Sequence, residues 1–74
     1  MIGRRLKELR LDKGISLSEL SRRSGVSKSY ISNIERGVQK NPSLIVLRKL
    51  SKTLDVTIEQ LVAWKFASKD EKSS

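Results

Sequence analysis

Between Ser16 and Gly37 the sequence sets a helix cap, a stop, a second cap and a second stop in close succession. Ser16-Leu17-Ser18-Glu19 has the form of a capping box, in which the hydroxyl accepts an orphaned amide hydrogen and the glutamate reaches back. Gly25 follows a few residues later, and glycine ends helices because it tolerates positive φ. A helix starting at Leu17 is therefore about two turns long, with Leu17 and Leu20 pointing inward. Ser27 then caps a third helix, which Gly37 stops. Two short helices joined by a tight glycine-containing turn form a helix-turn-helix.

The third helix has two unlike faces. On a wheel of about 100° per residue starting at Lys28, Ile34 falls near 240° and Ile31 near 300°, forming an apolar edge. Lys28, Ser32, Arg36, Ser29 and Asn33 fall between about 0° and 140°, all polar or positive. Tyr30 lies between the two, near 200°, and Glu35, near 340°, faces inward toward the first helix.

The remaining segments are also helical. Ile2, Leu6 and Leu9 recur at helical spacing in a first helix expected to end at Lys13, with Gly14 just beyond it. The only proline lies in Val38-Gln39-Lys40-Asn41-Pro42 and drives Asn41 out of helical geometry, so this is a loop. Ser43 caps a fourth helix with Leu44, Leu47, Leu50 and Leu54 inward and Arg48, Lys49 and Lys52 outward. Thr57-Ile58-Glu59-Gln60 is a second capping box and opens a fifth helix, with Ile58, Leu61 and Val62 inward. No period-two alternation marks a strand. The expectation is an all-α fold of five helices over residues 1–67, with 68–74 a frayed tail or the start of a linker.

Composition narrows the function. Seventy-four residues hold one small domain. Cysteine and histidine are both absent, which removes disulfides, thiolate metal sites and the usual general base, so neither an enzyme nor a cofactor is expected. The net charge of +8 and pI near 10.3 suit a polyanionic partner. No apolar run approaches the ~18 residues of a membrane span, and Met1-Ile2-Gly3-Arg4-Arg5 lacks the apolar run of a signal peptide. The expected location is the cytoplasm.

With these segments assigned, the chain resembles the lambda-repressor-like (Cro/CI, or Xre) family of bacterial and phage DNA-binding domains. The resemblance runs from Ile2 to about Val62. It rests on Leu6-Lys7-Glu8-Leu9-Arg10, Ser16-Leu17-Ser18-Glu19-Leu20, Gly25-Val26-Ser27, Tyr30-Ile31-Ser32-Asn33-Ile34-Glu35-Arg36-Gly37, Asn41-Pro42-Ser43-Leu44 and Leu54-Asp55-Val56 taken together. Met1-Ile2-Gly3-Arg4, Gly25-Val26-Ser27-Lys28-Ser29-Tyr30 and Asn41-Pro42-Ser43 resemble, more narrowly, the DNA-binding domain of SinR-type repressors, which control biofilm and sporulation genes in bacilli. The chain departs from the family at Leu17, where a glutamine often touches the DNA backbone, and at Ser21 and Ser51, where alanine is usual. SinR-type proteins continue into a multimerisation segment that 74 residues cannot hold, so the chain is expected to be a standalone domain or one half of a longer protein.

The resemblance implies that the third helix enters the major groove of double-stranded DNA, with Lys28, Ser29, Tyr30 and Asn33 reading bases. Lysine can donate to guanine O6 and N7, and asparagine can pair with adenine N6 and N7. Phosphate contacts are expected from the caps Ser16, Ser27 and Ser43, from Ser18 and Ser32, and from Arg36, Lys40 and Asn41. Residues 22–40 hold five cations against Glu35 alone. Half a dozen neutralised phosphates would set a log–log salt slope near about −5. The resemblance also pairs Glu35 with Arg10 in a buried salt bridge.

A repressor acting as a homodimer on half-sites is the expected function, with dimerisation on DNA or through a further C-terminal segment. Trp64 and Phe66 follow the fifth helix; either Trp64 closes the bottom of the core, or the two extend a dimer contact or a join to another segment. The alternative is a protein-interaction module, a coactivator or anti-repressor, which acidic or bulky apolar residues on the groove face would favour. RNA binding would need a platform of stacking aromatics that the sequence lacks.

Overall fold

Four of the five helices begin at a hydroxyl cap of the expected kind. The computed structural model describes residues 2–62 and contains α1 (Ile2–Asp12), α2 (Leu17–Ser24), α3 (Lys28–Glu35), α4 (Leu44–Leu54) and α5 (Ile58–Leu61), with no strand among the described residues. Ser16, Ser27, Ser43 and Thr57 have extended backbones, and each side chain accepts the amide hydrogen three residues on. Each such cap typically stabilises its helix by about 1 kcal/mol. Helices of eight residues do not persist alone in water, so tertiary packing supplies the rest.

The packing centres on α3 and α4. α1 lies against α3 and α5, α2 against α3 and α4, and α4 against α5. Leu6, Leu20, Ile31, Ile34, Leu50, Leu54 and Leu61 are fully enclosed between them. Burying each of these side chains contributes roughly 1.5–3 kcal/mol relative to exposure. Leu17 and Tyr30 are half-buried and pack on the edge of this core.

Three local expectations change. α1 ends at Asp12, and Lys13 already belongs to the turn before Gly14. The box at Ser16 forms only by half: Ser16 Oγ accepts from the Glu19 amide, but the Glu19 carboxylate turns to Arg22 and Arg23. At Thr57 both halves form, because Gln60 Oε1 accepts from the Thr57 amide. Leu44 does not face inward; it is 57% exposed, as its neighbour Ile45 is at 66%. The core-facing side of α4 is formed by the fully buried Leu50 and Leu54, with Val46 and Leu47 packed against them.

The hydroxyls at the two serines that replace alanine both find acceptors. Ser21 Oγ donates to the Val26 carbonyl at 2.7 Å, and Ser51 Oγ donates to the Arg48 carbonyl at 3.0 Å. The first of these bonds ties α2 across the turn to the start of α3. Gly25 completes that turn at φ 78°, the left-handed geometry that lets two helices meet within three residues. The boundary at residue 67, the tail from Ser68, and Trp64 and Phe66 lie outside the described residues.

Candidate nucleic-acid interface

α3 is held from behind and exposed in front. Ile31 and Ile34 anchor it with no exposed surface, while Lys28 and Ser29 stand exposed on its first turn and Arg36 at its end. Ser32 and Asn33 are half-buried between these faces. Tyr30 is also half-buried, its ring against the core margin rather than out with Lys28.

A bidentate ion pair fixes the height and rotation of α3 against α1. Arg10 Nε donates to Glu35 Oε2 at 2.7 Å and a terminal guanidinium nitrogen donates to Oε1 at 3.0 Å. The other terminal nitrogen donates to the Ile15 carbonyl at 2.9 Å, so one side chain joins α1, the turn before α2 and the end of α3. The bond to Glu35 raises the Arg10 pKa above its already high value, outweighing the opposing effect of burial. The guanidinium therefore keeps its charge at any pH at which the protein folds. Gly3 makes the same junction possible sterically. A Cβ there would sit 2.1 Å from the Ile34 carbonyl oxygen, so α1 reaches the last turn of α3 only through a residue without one. A lone helical glycine carries little signal in a sequence, since nothing local shows which backbone it will meet.

Asn33 organises the segment after α3. Its carbonyl accepts from the amides of both Val38 and Gln39, at 2.8 and 2.9 Å, and Gln39 Oε1 accepts from the Asn41 amide at 3.1 Å. The loop carrying Lys40 and Asn41 is thus tied to the helix that carries Lys28 and Ser29. On the side-chain amide, Oδ1 accepts from an Arg36 guanidinium nitrogen at 3.2 Å. That oxygen has a second lone pair, and the amide nitrogen keeps its donors, so a base edge can still be paired while Arg36 orients the group.

The serine caps use acceptor capacity only. Ser16, Ser27 and Ser43 each accept one amide hydrogen, at 3.1, 3.2 and 3.2 Å, which leaves each O–H able to donate to a phosphate oxygen. Ser18 is exposed beside Ser16 on the first turn of α2, next to half-buried Leu17.

The cations are not equivalent. Glu19 binds Arg22 at 2.5 Å and Arg23 at 2.6 Å, and those bonds hold its carboxyl below the usual carboxylate range. A charge count that starts at residue 22 leaves this carboxylate out. Lys28, Arg36 and Lys40 are the cations of that segment outside carboxylate pairs among the described residues. Among the same residues no cluster of side chains suits a metal ion, and no helix is long and apolar enough to cross a membrane.

Comparison with known proteins agrees with this geometry. The HTH-type transcriptional regulator SinR of Bacillus subtilis is 53% identical over 62 residues, covering 84% of this chain and 56% of its own. The chain thus spans about half the length of that relative. A crystal structure of SinR, the master regulator for biofilm formation, in complex with DNA superposes with a TM-score of 0.82 at 53% identity, over 84% of this chain and 98% of that one. The restriction-modification controller protein C.AhdI from Aeromonas hydrophila gives 0.77 at 42% identity, over 81% and 89%. The helix-turn-helix family model HTH_3 matches residues 6–61. Motif, helix order and relatives agree, and the chain belongs to the HTH_3 helix-turn-helix family.

Proposed function

We propose that this chain is the DNA-binding unit of a transcriptional regulator, acting as a repressor by placing α3 in the major groove of double-stranded DNA. The observation that carries this reading is the division of α3: one face is fully enclosed, and the other presents Lys28, Ser29, Ser32 and Asn33 with no carboxylate among them. The similarity to SinR, whose structure is known with DNA, supports it. Lys28 and Asn33 read base edges, with Ser29 and Tyr30 beside them. The caps Ser16, Ser27 and Ser43, together with Ser18, Ser32, Arg36, Lys40 and Asn41, hold the phosphates and set the register.

A single module of this size offers limited DNA contact, so two copies act on half-sites about 34–36 Å apart. The unit works by binding rather than catalysis, and in the cytoplasm, where a bacterial chromosome lies.

Selection of bound sites from random duplex DNA at fixed salt tests the assignment. Lys28→Ala and Asn33→Ala should each relax preference at one base position, by about 1–3 kcal/mol of discrimination. If both variants keep the affinity and preference of the parent, α3 does not read DNA through these residues.

A further inference from the structure

Asn33 is fixed along its main chain, which leaves only its side-chain amide to be oriented. Ile31 and Ile34 beside it on α3 are fully enclosed, and its carbonyl accepts from the amides of Val38 and Gln39 at 2.8 and 2.9 Å. The last torsion of an asparagine is broad and roughly two-fold, so the backbone does not decide whether Oδ1 or Nδ2 leads.

The neighbour that decides is Arg36. A terminal guanidinium nitrogen donates to Asn33 Oδ1 at 3.2 Å, across one turn of helix. Turning the amide over would set its NH2 against a guanidinium, which has donors and no acceptor. A charge-assisted hydrogen bond would give way to donor facing donor, so the cation keeps the oxygen on its own side. Arg36 stands exposed at the end of α3, and no carboxylate pairs with it among the described residues. Nothing acidic there draws the guanidinium away from Asn33.

Base edges in the major groove differ in the order of their donors and acceptors. Adenine sets the N7 acceptor beside the N6 donor, whereas guanine sets two acceptors, N7 and O6, side by side. An amide held in one orientation places its donor and its acceptor at fixed points. One free to turn end for end offers either group at the same point and matches more than one edge.

We propose that Arg36 determines specificity at the base that Asn33 reads, as a positioning residue that acts through the Asn33 amide without touching the base. This rests on the function proposed above, in which Asn33 meets a base edge and Arg36 a phosphate. It adds that one guanidinium couples the two contacts, so a residue on the DNA backbone also bears on sequence.

The test compares the parent, Asn33→Ala, Arg36→Met and the double variant at fixed salt. Each is titrated with the duplex that the parent selects and with duplexes altered at single positions. Arg36→Met keeps the aliphatic stem and removes every donor. It should cut discrimination several-fold at the position that Asn33→Ala relaxes, and leave the position read by Lys28 unchanged. In the Asn33→Ala background the same replacement should weaken all duplexes by a common factor and reduce discrimination no further. Loss of a phosphate contact alone predicts that common factor in both backgrounds. Undiminished discrimination in Arg36→Met therefore overturns the proposal while the proposed function stands. Discrimination lost instead at another position, which marks a base touched by Arg36 itself, overturns it as well. Asn33→Ala with no relaxed position overturns both readings. Discrimination is a ratio of affinities from one preparation, so any unfolded fraction cancels.

Discussion

Removing the carboxylate in Glu35→Leu leaves the Arg10 guanidinium enclosed, with one acceptor remaining of the group that now holds it. The two side chains are 9% and 6% exposed, and the pair is bidentate at 2.7 and 3.0 Å, so solvent cannot replace the lost partner without local opening. Breaking a buried pair from one side costs about 3–5 kcal/mol. A chain of this length has a total stability of about 4–11 kcal/mol, at roughly 0.05–0.15 kcal/mol per residue, so the loss is a large share of it. Arg10→Met should cost as much, and more where the Ile15 carbonyl is left without its donor, which adds about 1–3 kcal/mol. The double variant Arg10→Met/Glu35→Leu has no buried charge left. Its remaining cost is the orphaned carbonyl, about 1–3 kcal/mol, far below the sum of the single losses. Urea unfolding of all four proteins, compared at constant m, gives the coupling directly. The single and double losses amount to a coupling of at least about 6 kcal/mol, and losses that add to within about 0.5 kcal/mol would refute the account of the bridge.

Other expectations concern packing, pH and salt. Gly3→Ala should destabilise by about 1–3 kcal/mol because its Cβ meets backbone at the Ile34 carbonyl; the propensity gain of about 1 kcal/mol expected at an open helical site would instead raise the urea midpoint. Glu19 has a lowered pKa in the folded state, so its contribution is complete above the ordinary carboxylate range and disappears as pH falls through the folded value. Glu19→Gln should therefore unfold earlier than the parent in urea at neutral pH but equally at strongly acidic pH, and a gap that persists in acid contradicts this. Lys40→Ala should weaken binding to all duplexes alike and flatten the salt slope by about 0.9, measured by titration across ionic strengths; a changed base preference would show that Lys40 reads sequence.

The helices and their order follow from the residues alone, because a cap is a local device. A serine or threonine hydroxyl reaches the amide three residues on whatever surrounds it, and Ser16, Ser27, Ser43 and Thr57 all do so. The two faces of α3 were legible for the same reason, since helical periodicity alone separates Ile31 and Ile34 from Lys28 and Ser29. What each face meets depends on how the helices pack. Leu44 continues the leucine pattern of α4 but stays in solvent, while Leu50 and Leu54 are enclosed. Glu19 has the spacing of a capping residue, yet Arg22 and Arg23 lie one helical turn away and compete for the same carboxylate. The role of Gly3 depends on a carbonyl about thirty residues away, and the third bond of Arg10 on a carbonyl in the turn between α1 and α2. Between Ser16 and Gly37 the chain encodes the helix-turn-helix locally, but the orientation that α3 presents is set by α1, through contacts that exist only once the helices have packed.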